Sequence, residues 1–218
     1  MVDERVAGVI LAGGRSSRMA GLSGTARDFI TLPKARQSLG GDLLIDRVAA
    51  RLRPQVSMLL INANDTPAAY RHLGAPVVAD LTPDYPGPLA GLLAAMEYVR
   101  RHVPHIELVA LAPCDAPFLP DNLVTVLIEA LEAEAASVAC PRYQGFLQPT
   151  FSLWRADLLP LLHHELTALG KGGFKDLLRN LDCAQVEWSS EPVDPFYNIN
   201  TPHQLEEAQR LIVQGTST

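Results

Sequence analysis

A pair of glycines, Gly13 and Gly14, ends an apolar run near the amino terminus and is followed by Arg15 and Arg18. The run 5–11 is short and mostly apolar, which is typical of a buried strand. Glycine lets backbone N–H groups approach an anion closely, and arginine binds phosphate oxygens through a planar set of donors. We therefore expect a phosphate-binding turn here, although a tight turn alone would account equally well for a bare glycine pair. The spacing matches neither the dinucleotide fingerprint GxGxxG nor the phosphate loop GxxxxGK[ST].

Polar side chains also follow two further predicted strands. Asn62 comes after the apolar run 56–61, where an amide could read the edge of a base or could simply form a turn. Asp80 follows the short strand 77–79 and precedes the proline-stiffened loop 84–91. A helix begins within this loop, so the segment is either a platform for an anionic ligand or a capped helix start.

Two more candidate sites lie later in the chain. Asp115 follows the predicted strand 107–112 and is flanked by prolines. A carboxylate held at a strand end beside a phosphate site is a suitable Mg²⁺ ligand, and a turn or helix cap is the alternative. Asn198 and Asn200 are separated by one residue, so in an extended segment both point the same way. They could face one ligand or one metal, or they could cap the last helix.

The composition limits the class of protein. The 218 residues carry a net charge of −6, which argues against a nucleic-acid-binding surface. The sequence has no apolar segment of membrane-spanning length and no signal-peptide pattern, so we expect a cytoplasmic protein with no membrane partner. Cys114, Cys140 and Cys183 are widely separated and lack the spacing of metal ligands. We expect them to be buried, reduced thiols.

Apolar, β-branched segments alternate with segments of helical period along the chain. This alternation predicts an α/β protein, with a doubly wound, mostly parallel sheet in a three-layer α/β/α arrangement. Ligands bind such sheets beyond the carboxyl ends of the strands. We expect residues 1–218 to form one domain, with 214–218 as a disordered tail and 20–33 as a mobile loop. The predicted strands are 5–11, 56–61, 77–79, 107–112, 137–140, 146–153 (broken at Pro149) and 185–188, and the predicted helices are 43–52, 66–73, 89–101, 121–134, 156–165, 174–181 and 202–213.

Several motifs occur together in one order: LAGGRSSRM, a later Lys34, NAN, DYPGPLAG, PCDAP, the pair Gln148-Pro149, and FYNINTP. In this order the chain resembles the molybdenum cofactor guanylyltransferases, which are nucleotidyltransferases of the pyrophosphorylase type, over residues 6–211. The resemblance implies a Rossmann-like nucleotidyltransferase fold and an enzyme that uses Mg²⁺. It implies transfer of GMP from GTP to the terminal phosphate of molybdopterin, or of the molybdenum cofactor, with release of pyrophosphate. A molybdoenzyme or its chaperone would receive the product, and we expect a monomer.

The resemblance also implies a role for individual residues. Arg18, Lys34 and Asp115 would be the catalytic residues, with Asp115 as the metal ligand and the two cations holding the phosphates. The remaining residues fall into two groups: Leu11, Ala12, Gly13, Gly14, Asn62, Asp80 and Gly87 would bind the nucleotide together with Lys34 and Asp115, and Pro88, Gly91, Gln148, Asn198 and Asn200 would bind the second substrate.

The chain departs from the family's pattern at one place. Lys34 follows an unusually long link and is preceded by Pro33, where the family usually has aspartate. This departure favours the second of two alternatives that stay open, and the first stays open because the residues do not prove which base is selected. One is a cytidylyltransferase or sugar-phosphate nucleotidyltransferase of the same fold, and the other is a non-catalytic protein that binds or carries the nucleotide or cofactor.

Overall fold

The computed structural model describes residues 2–13, 33–81, 87–167, 173–189 and 193–215. Within these ranges the strands are β1 (Asp3–Leu11), β2 (Ser38–Leu39), β3 (Asp42–Leu43), β4 (Val56–Asn62), β5 (Val77–Val78), β6 (Leu108–Pro113), β7 (Val138–Tyr143), β8 (Phe146–Leu147), β9 (Leu153–Arg155) and β10 (Cys183–Trp188). The α-helices are α1 (Leu44–Leu52), α2 (Pro88–His102), α3 (Leu123–Ala133), α4 (Leu159–Thr167), α5 (Phe174–Leu178) and α6 (Pro202–Gly215). Short 3₁₀ helices occupy Lys34–Arg36, Arg53–Gln55, Pro67–Leu73, Pro149–Phe151 and Ala156–Leu158.

The central sheet has the strand order β10-β7-β9-β6-β1-β4-β5, and β8 pairs with β7 as a hairpin. β1 is parallel to β4 and β6, and β7 is parallel to β10. β9 is antiparallel to both of its neighbours, β6 and β7. The mostly parallel sheet that the alternation predicts is therefore confirmed.

Helices cover both faces of this sheet, which gives the predicted three layers. In β1, Val6 and Ile10 belong to the core shared with α1 and α3, whereas Ala7 and Val9 belong to the core shared with α2 and α4. Successive side chains of a strand point to opposite faces, so a strand with two covered faces reads as one continuous apolar run. This is why the segment is easy to find in the sequence.

The predicted extended segment 146–153 is divided into two strands. Gln144 and Gly145 adopt left-handed backbone conformations, with φ of 49° and 81°, and form the two-residue turn between β7 and β8. Pro149 then begins a 3₁₀ helix, and the chain enters β9. The break at Pro149 is confirmed, but the sequence pattern did not predict an antiparallel strand inside the sheet.

Several element ends differ from the predicted ones. The helix predicted over 66–73 is a 3₁₀ helix, and Thr66 makes no side-chain capping bond there. Thr201 caps α6, since its Oγ1 accepts the backbone N–H of Gln204 at 3.2 Å. α6 extends to Gly215, so the tail predicted from residue 214 begins inside a helix. The short β2–β3 pair was not predicted, and no helix of the described ranges is long and apolar enough to cross a membrane.

Candidate active site

The carboxyl ends of β1, β4 and β6 lie side by side in one row. Leu11 is in register with Asn62 on one side and with Pro113 on the other. The row continues past the strands, because the Ala12 N–H donates to the Asn62 carbonyl at 2.8 Å and the Cys114 N–H donates to the Leu11 carbonyl at 3.1 Å. The predicted phosphate turn, the NAN segment and the PCD segment therefore leave the sheet at the same edge.

Asp80 lies between the two asparagine side chains of the NAN segment. Nδ2 of Asn62 donates to one carboxylate oxygen at 2.9 Å, and Nδ2 of Asn64 donates to the other at 2.7 Å. Oδ1 of Asn64 in turn accepts the backbone N–H of Asp80 at 2.8 Å. The second N–H of Asn62 donates to the carbonyl of Val78 at 3.3 Å. Asn62 thus orients Asp80 instead of offering free donors of its own.

Asn64 is the residue at this edge that sequence reasoning passed over. It stands in the NAN motif, but only Asn62 was given a role. The spacing in the sequence could have identified it, because Asn62 and Asn64 are two residues apart and side chains two apart in an extended segment lie on the same side.

Close packing leaves little or no room for a side chain at two glycines beside Asn62. A Cβ on Gly91 would lie 2.3 Å from Oδ1 of Asn62 and 2.8 Å from Cδ2 of Leu11. A Cβ on Gly13 would lie 3.0 Å from Nδ2 of Asn64 and 3.3 Å from Oδ1 of Asn62. The first turn of α2 therefore packs directly against the end of β4. Gly91 is buried in this contact, beneath the edge of the site.

The described part of the predicted loop 84–91 begins at Gly87, and residues 84–86 lie outside the described ranges. Gly87 has φ of 148°, a conformation that side chains rarely adopt, and it occupies the position before the helix. Pro88 begins the helix, where its fixed φ is favourable and its missing N–H costs no hydrogen bond.

Lys34 and Asp115 form an ion pair, with Nζ 3.1 Å from Oδ2. The lysine also donates to Oδ1 of Asn200. Asp115 is 9% exposed, and its backbone carbonyl accepts the N–H of Ile199 at 2.9 Å. Three segments that are far apart in sequence therefore converge on one ammonium group. Lys34 lies at the site despite the unusual Pro33 that precedes it.

Two other residues predicted to bind the second substrate, Asn198 and Gln148, form hydrogen bonds with backbone carbonyls close to them in sequence. Nδ2 of Asn198 donates to the carbonyl of Phe196 at 3.1 Å, and Nε2 of Gln148 donates to the carbonyl of Phe146 at 3.3 Å. Ile199 is buried, whereas Asn198 and Asn200 on either side of it are not. This alternation agrees with the prediction that the side chains of Asn198 and Asn200 point the same way, away from the core. Gly14 and Arg18, with most of the predicted loop 20–33, lie outside the described residues.

The three cysteines have no catalytic environment. Burial raises the pKa of all three thiols, to about 12 for Cys140 and about 11 for Cys183, and most strongly for Cys114. A thiol with a raised pKa stays protonated at neutral pH and is a poor nucleophile. All three are free; Cys114 and Cys140 are buried as expected, whereas Cys183 is only partly buried. Among the described residues no three His, Cys, Asp or Glu side chains form a metal-binding cluster.

A cavity of about 570 Å³ lies away from this edge, between the second half of α2 and the start of α4. Its lining includes Met96, Ile106 and Leu159. Glu97 also lines it and pairs with His163 and Arg100 at 2.6 Å and 2.7 Å. None of the predicted site residues contributes to it.

The sheet is mostly parallel, and a glycine turn, an oriented carboxylate and a lysine–aspartate pair lie together at the carboxyl ends of its strands. This arrangement defines an α/β protein of the nucleotide-binding class. A family model for the MobA-like NTP transferase domain matches residues 8–186, and this chain belongs to that family.

Two relatives cover almost the whole chain, and both are named molybdenum cofactor guanylyltransferase. The protein of Nitrobacter hamburgensis is 37% identical over 211 residues, which are 94% of this chain and 93% of that protein. The protein of Burkholderia lata is 40% identical over 209 residues, which are 92% and 93% of the two chains. The molybdopterin-guanine dinucleotide biosynthesis protein A of Archaeoglobus fulgidus has a similar fold, with a TM-score of 0.72 at 21% identity. The likeness covers 96% of this chain and 99% of that one.

Proposed function

We propose that this protein transfers GMP from GTP to the terminal phosphate of molybdopterin, releasing pyrophosphate and forming the guanine dinucleotide of the cofactor. Relatives of this name match over nearly the full length of the chain. The observation that carries the proposal is the convergence of Lys34, Asp115 and Asn200 at the carboxyl edge of the sheet, next to the glycine turn. These are the charges and polar oxygens that a triphosphate and a metal ion need.

The chemistry requires little acid–base catalysis. An oxygen of the acceptor's phosphate is already anionic, and it attacks the α-phosphorus of GTP. The bond from that phosphorus to the oxygen bridging to the β-phosphate breaks, and pyrophosphate leaves with the electron pair. The barrier comes mainly from bringing two anions together, so positioning and charge neutralisation do most of the work. Lys34 supplies one positive charge at the edge, and Arg18 would supply another.

The oxygens around Lys34 suit a hard divalent cation such as Mg²⁺. Oδ2 of Asp115 and Oδ1 of Asn200 both contact the same ammonium group, so two oxygen donors already point at one position. Mg²⁺ takes few protein ligands and keeps water or phosphate oxygens for the rest, which fits a site with a single carboxylate. When bound there, the metal supplies positive charge for the phosphates. Asp115, with Asn200, would hold it.

Asp80 favours guanine among the bases. Its two oxygens are fixed by Asn62 and Asn64, so the carboxylate presents an oriented pair of acceptors. Guanine carries two neighbouring N–H donors, on N1 and N2, whereas cytosine offers one amino group and a ring acceptor. A carboxylate therefore pairs more completely with guanine. The backbone from Leu11 to Gly14, together with Gly87, would hold the phosphates and sugar of the same nucleotide.

The acceptor would bind on the other side of Asp115, near Gln148, Asn198 and Asn200, with Pro88 at the border between the two substrates. Gly91, predicted to bind the second substrate, is instead buried against Asn62 and Leu11, so it shapes the site from beneath without touching a ligand. A single catalytic domain, a monomeric state, a cytoplasmic location and delivery to a molybdoenzyme or its chaperone stay predictions of this proposal.

Pyrophosphate release tests the proposal directly. The purified protein is incubated with molybdopterin and with GTP or CTP in turn, with and without Mg²⁺. Pyrophosphate release that occurs with GTP but not with CTP, and only when Mg²⁺ is present, supports a guanylyltransferase. Faster release with CTP would favour the cytidylyltransferase alternative, and tight GTP binding without any pyrophosphate would favour the non-catalytic one.

A further inference from the structure

Phe146 is a large apolar side chain left in solvent. It is 74% exposed, more than Val2, Leu81 or Val213, which are the other exposed large apolar residues of the described ranges. It sits in the hairpin of β7 and β8, which is closed by the two-residue turn at Gln144 and Gly145. A single exposed apolar side chain is common on a protein surface, so the role of this ring depends on where the hairpin places it.

The register shows which face of the hairpin carries this ring. Phe146 is paired directly opposite Tyr143, and residues directly opposite each other in an antiparallel ladder place their side chains on the same face. The Tyr143 ring contacts the Phe196 ring edge-on, with centroids 5.8 Å apart. Trp188, which is beside Tyr143 in β10, meets Phe196 at the same separation. Phe146 therefore shares its face of the hairpin with Tyr143, whose ring packs against Phe196.

The segment that begins at Phe196 leads straight to the proposed reaction centre. The Phe196 carbonyl accepts Nδ2 of Asn198 at 3.1 Å, and the next residue, Ile199, donates its N–H to the carbonyl of Asp115 at 2.9 Å. Gln148, expected on the acceptor side, donates Nε2 to the carbonyl of Phe146 at 3.3 Å. The hairpin thus contacts Gln148 through a hydrogen bond and Phe196 through the ring of Tyr143.

The strand register gives the separation. Leu153 of β9 pairs with Ala110 of β6 on one side and with Ala139 of β7 on the other, so these two alanines are level in the sheet. Since two strand spacings separate β6 from β7 at this level, the backbones of Ala110 and Ala139 are roughly 10 Å apart. Asp115 follows β6 and the hairpin turn follows β7, so both lie beyond this level at the same edge of the sheet.

We propose that Phe146 is a substrate-contacting residue whose ring stacks on the flat heteroaromatic ring of the acceptor. The inference rests on the proposed function, in which the acceptor has a phosphate at one end and a pterin at the other. The phosphate must reach Asp115 and Lys34, so the ring end lies away from them, and the hairpin offers an exposed aromatic face at the same edge of the sheet. Flat ring systems stack on aromatic side chains with little dependence on hydrogen bonds.

Three variants at one position test this stacking. Phe146→Ala and Phe146→Leu are expected to raise the KM for molybdopterin roughly tenfold, the size of a lost aromatic stack, while Phe146→Tyr stays near the parent. The kcat and the KM for GTP should change less than twofold in all three. Because the ring is exposed, the thermal midpoint should not move. Val2→Ala removes another exposed apolar side chain, at the opposite end of β1, and serves as the matched control.

A second measurement separates this inference from the proposed function. Quenching of a fluorescent pterin that carries a phosphomonoester side chain reports binding without turnover, and Phe146→Ala should weaken it about tenfold. Equal affinity for parent and Phe146→Ala, or full affinity in Phe146→Leu, would overturn the stacking role. A change in the KM for GTP instead of molybdopterin would also overturn it. If the parent released no pyrophosphate, the proposed function would fail, and the quenching result alone would decide about Phe146.

Discussion

The Nζ atom of Lys34 lies 3.1 Å from Oδ2 of Asp115, although 81 positions separate the two residues in the sequence. The pair stands at the edge where β1, β4 and β6 end, and the lysine reaches Asn200 from the same position. A buried carboxylate is costly without a positive partner, so the lysine compensates the charge of Asp115. Any divalent cation at Asp115 must share or take over oxygens that Lys34 now holds.

Replacing Lys34 should slow the reaction more than it weakens GTP binding. Lys34→Met keeps most of the side-chain volume and removes the charge that would face the phosphates. We expect kcat to fall about a hundredfold, close to 3 kcal/mol of barrier, with a much smaller change in the KM for GTP. Steady-state pyrophosphate release measures both constants. The matched control is Lys175→Met, which alters an exposed lysine of α5, and unchanged turnover in Lys34→Met would contradict the assigned role.

Asp115→Asn should abolish turnover and metal binding while it leaves the fold intact. The substitution keeps the shape of the side chain but removes the charge that would hold a divalent cation. Electron paramagnetic resonance of added Mn²⁺ should show binding to the parent and to Asp121→Asn, which changes an exposed aspartate paired with Arg51. Circular dichroism checks the fold. Activity of Asp115→Asn at ordinary Mg²⁺ concentrations would refute the metal assignment.

Asp80→Asn should reduce selection of GTP. An amide in place of the carboxylate offers only one acceptor and adds a donor that faces the N–H groups of guanine. We expect kcat/KM for GTP to fall at least about tenfold relative to CTP. Asn64→Ala, which removes one group that orients Asp80, should act in the same direction with a smaller effect. Equal losses with GTP and CTP would show that Asp80 does not read the base.

Gly91→Ala should destabilise the protein through a clash beneath the site. The new Cβ would lie 2.3 Å from Oδ1 of Asn62 in a buried contact, so α2 or the end of β4 must move. Overpacking of this kind costs about 1 to 3 kcal/mol, which urea unfolding can measure. Gly173→Ala is the control, because nothing lies within 4 Å of the added Cβ there. Equal stability of the two variants would contradict the close packing of α2.

Glu97→Gln should remove stability at neutral pH but not at low pH. Burial raises the pKa of Glu97, but hydrogen bonds from His163 and Arg100 outweigh it, and the pKa lies below its ordinary value of 4.5. A carboxyl group whose pKa is lowered in the folded protein stabilises the fold at pH values above its pKa in the unfolded chain. This stability is lost as the pH falls through its pKa in the folded protein. We expect the parent to be more stable than Glu97→Gln by about 1 kcal/mol near pH 7. Urea unfolding from pH 7 to pH 3 should show the difference shrinking, whereas Glu129→Gln, an exposed change in α3, should show none.

The sequence predicted the sheet better than its irregular parts. Strands buried on both faces, such as β1 and β6, have a signal that is independent of the rest of the molecule. β9 has only three residues and follows a proline turn, so no periodicity marks it, and its antiparallel position depends on the two strands that flank it. Thr66 illustrates the same limit, since a capping residue type was present without the capping bond.

The sequence by itself determined which residue types follow the strands, because a polar residue or glycine after an apolar run can be recognised without knowing the fold. From this came the glycine turn, Asp80, Asp115 and the paired asparagines, and the family's motifs added Lys34. Only the tertiary structure decided how these groups are partnered. Asn62 orients Asp80 and Lys34 neutralises Asp115 because strand register and helix packing bring distant segments together, and no local pattern encodes those distances.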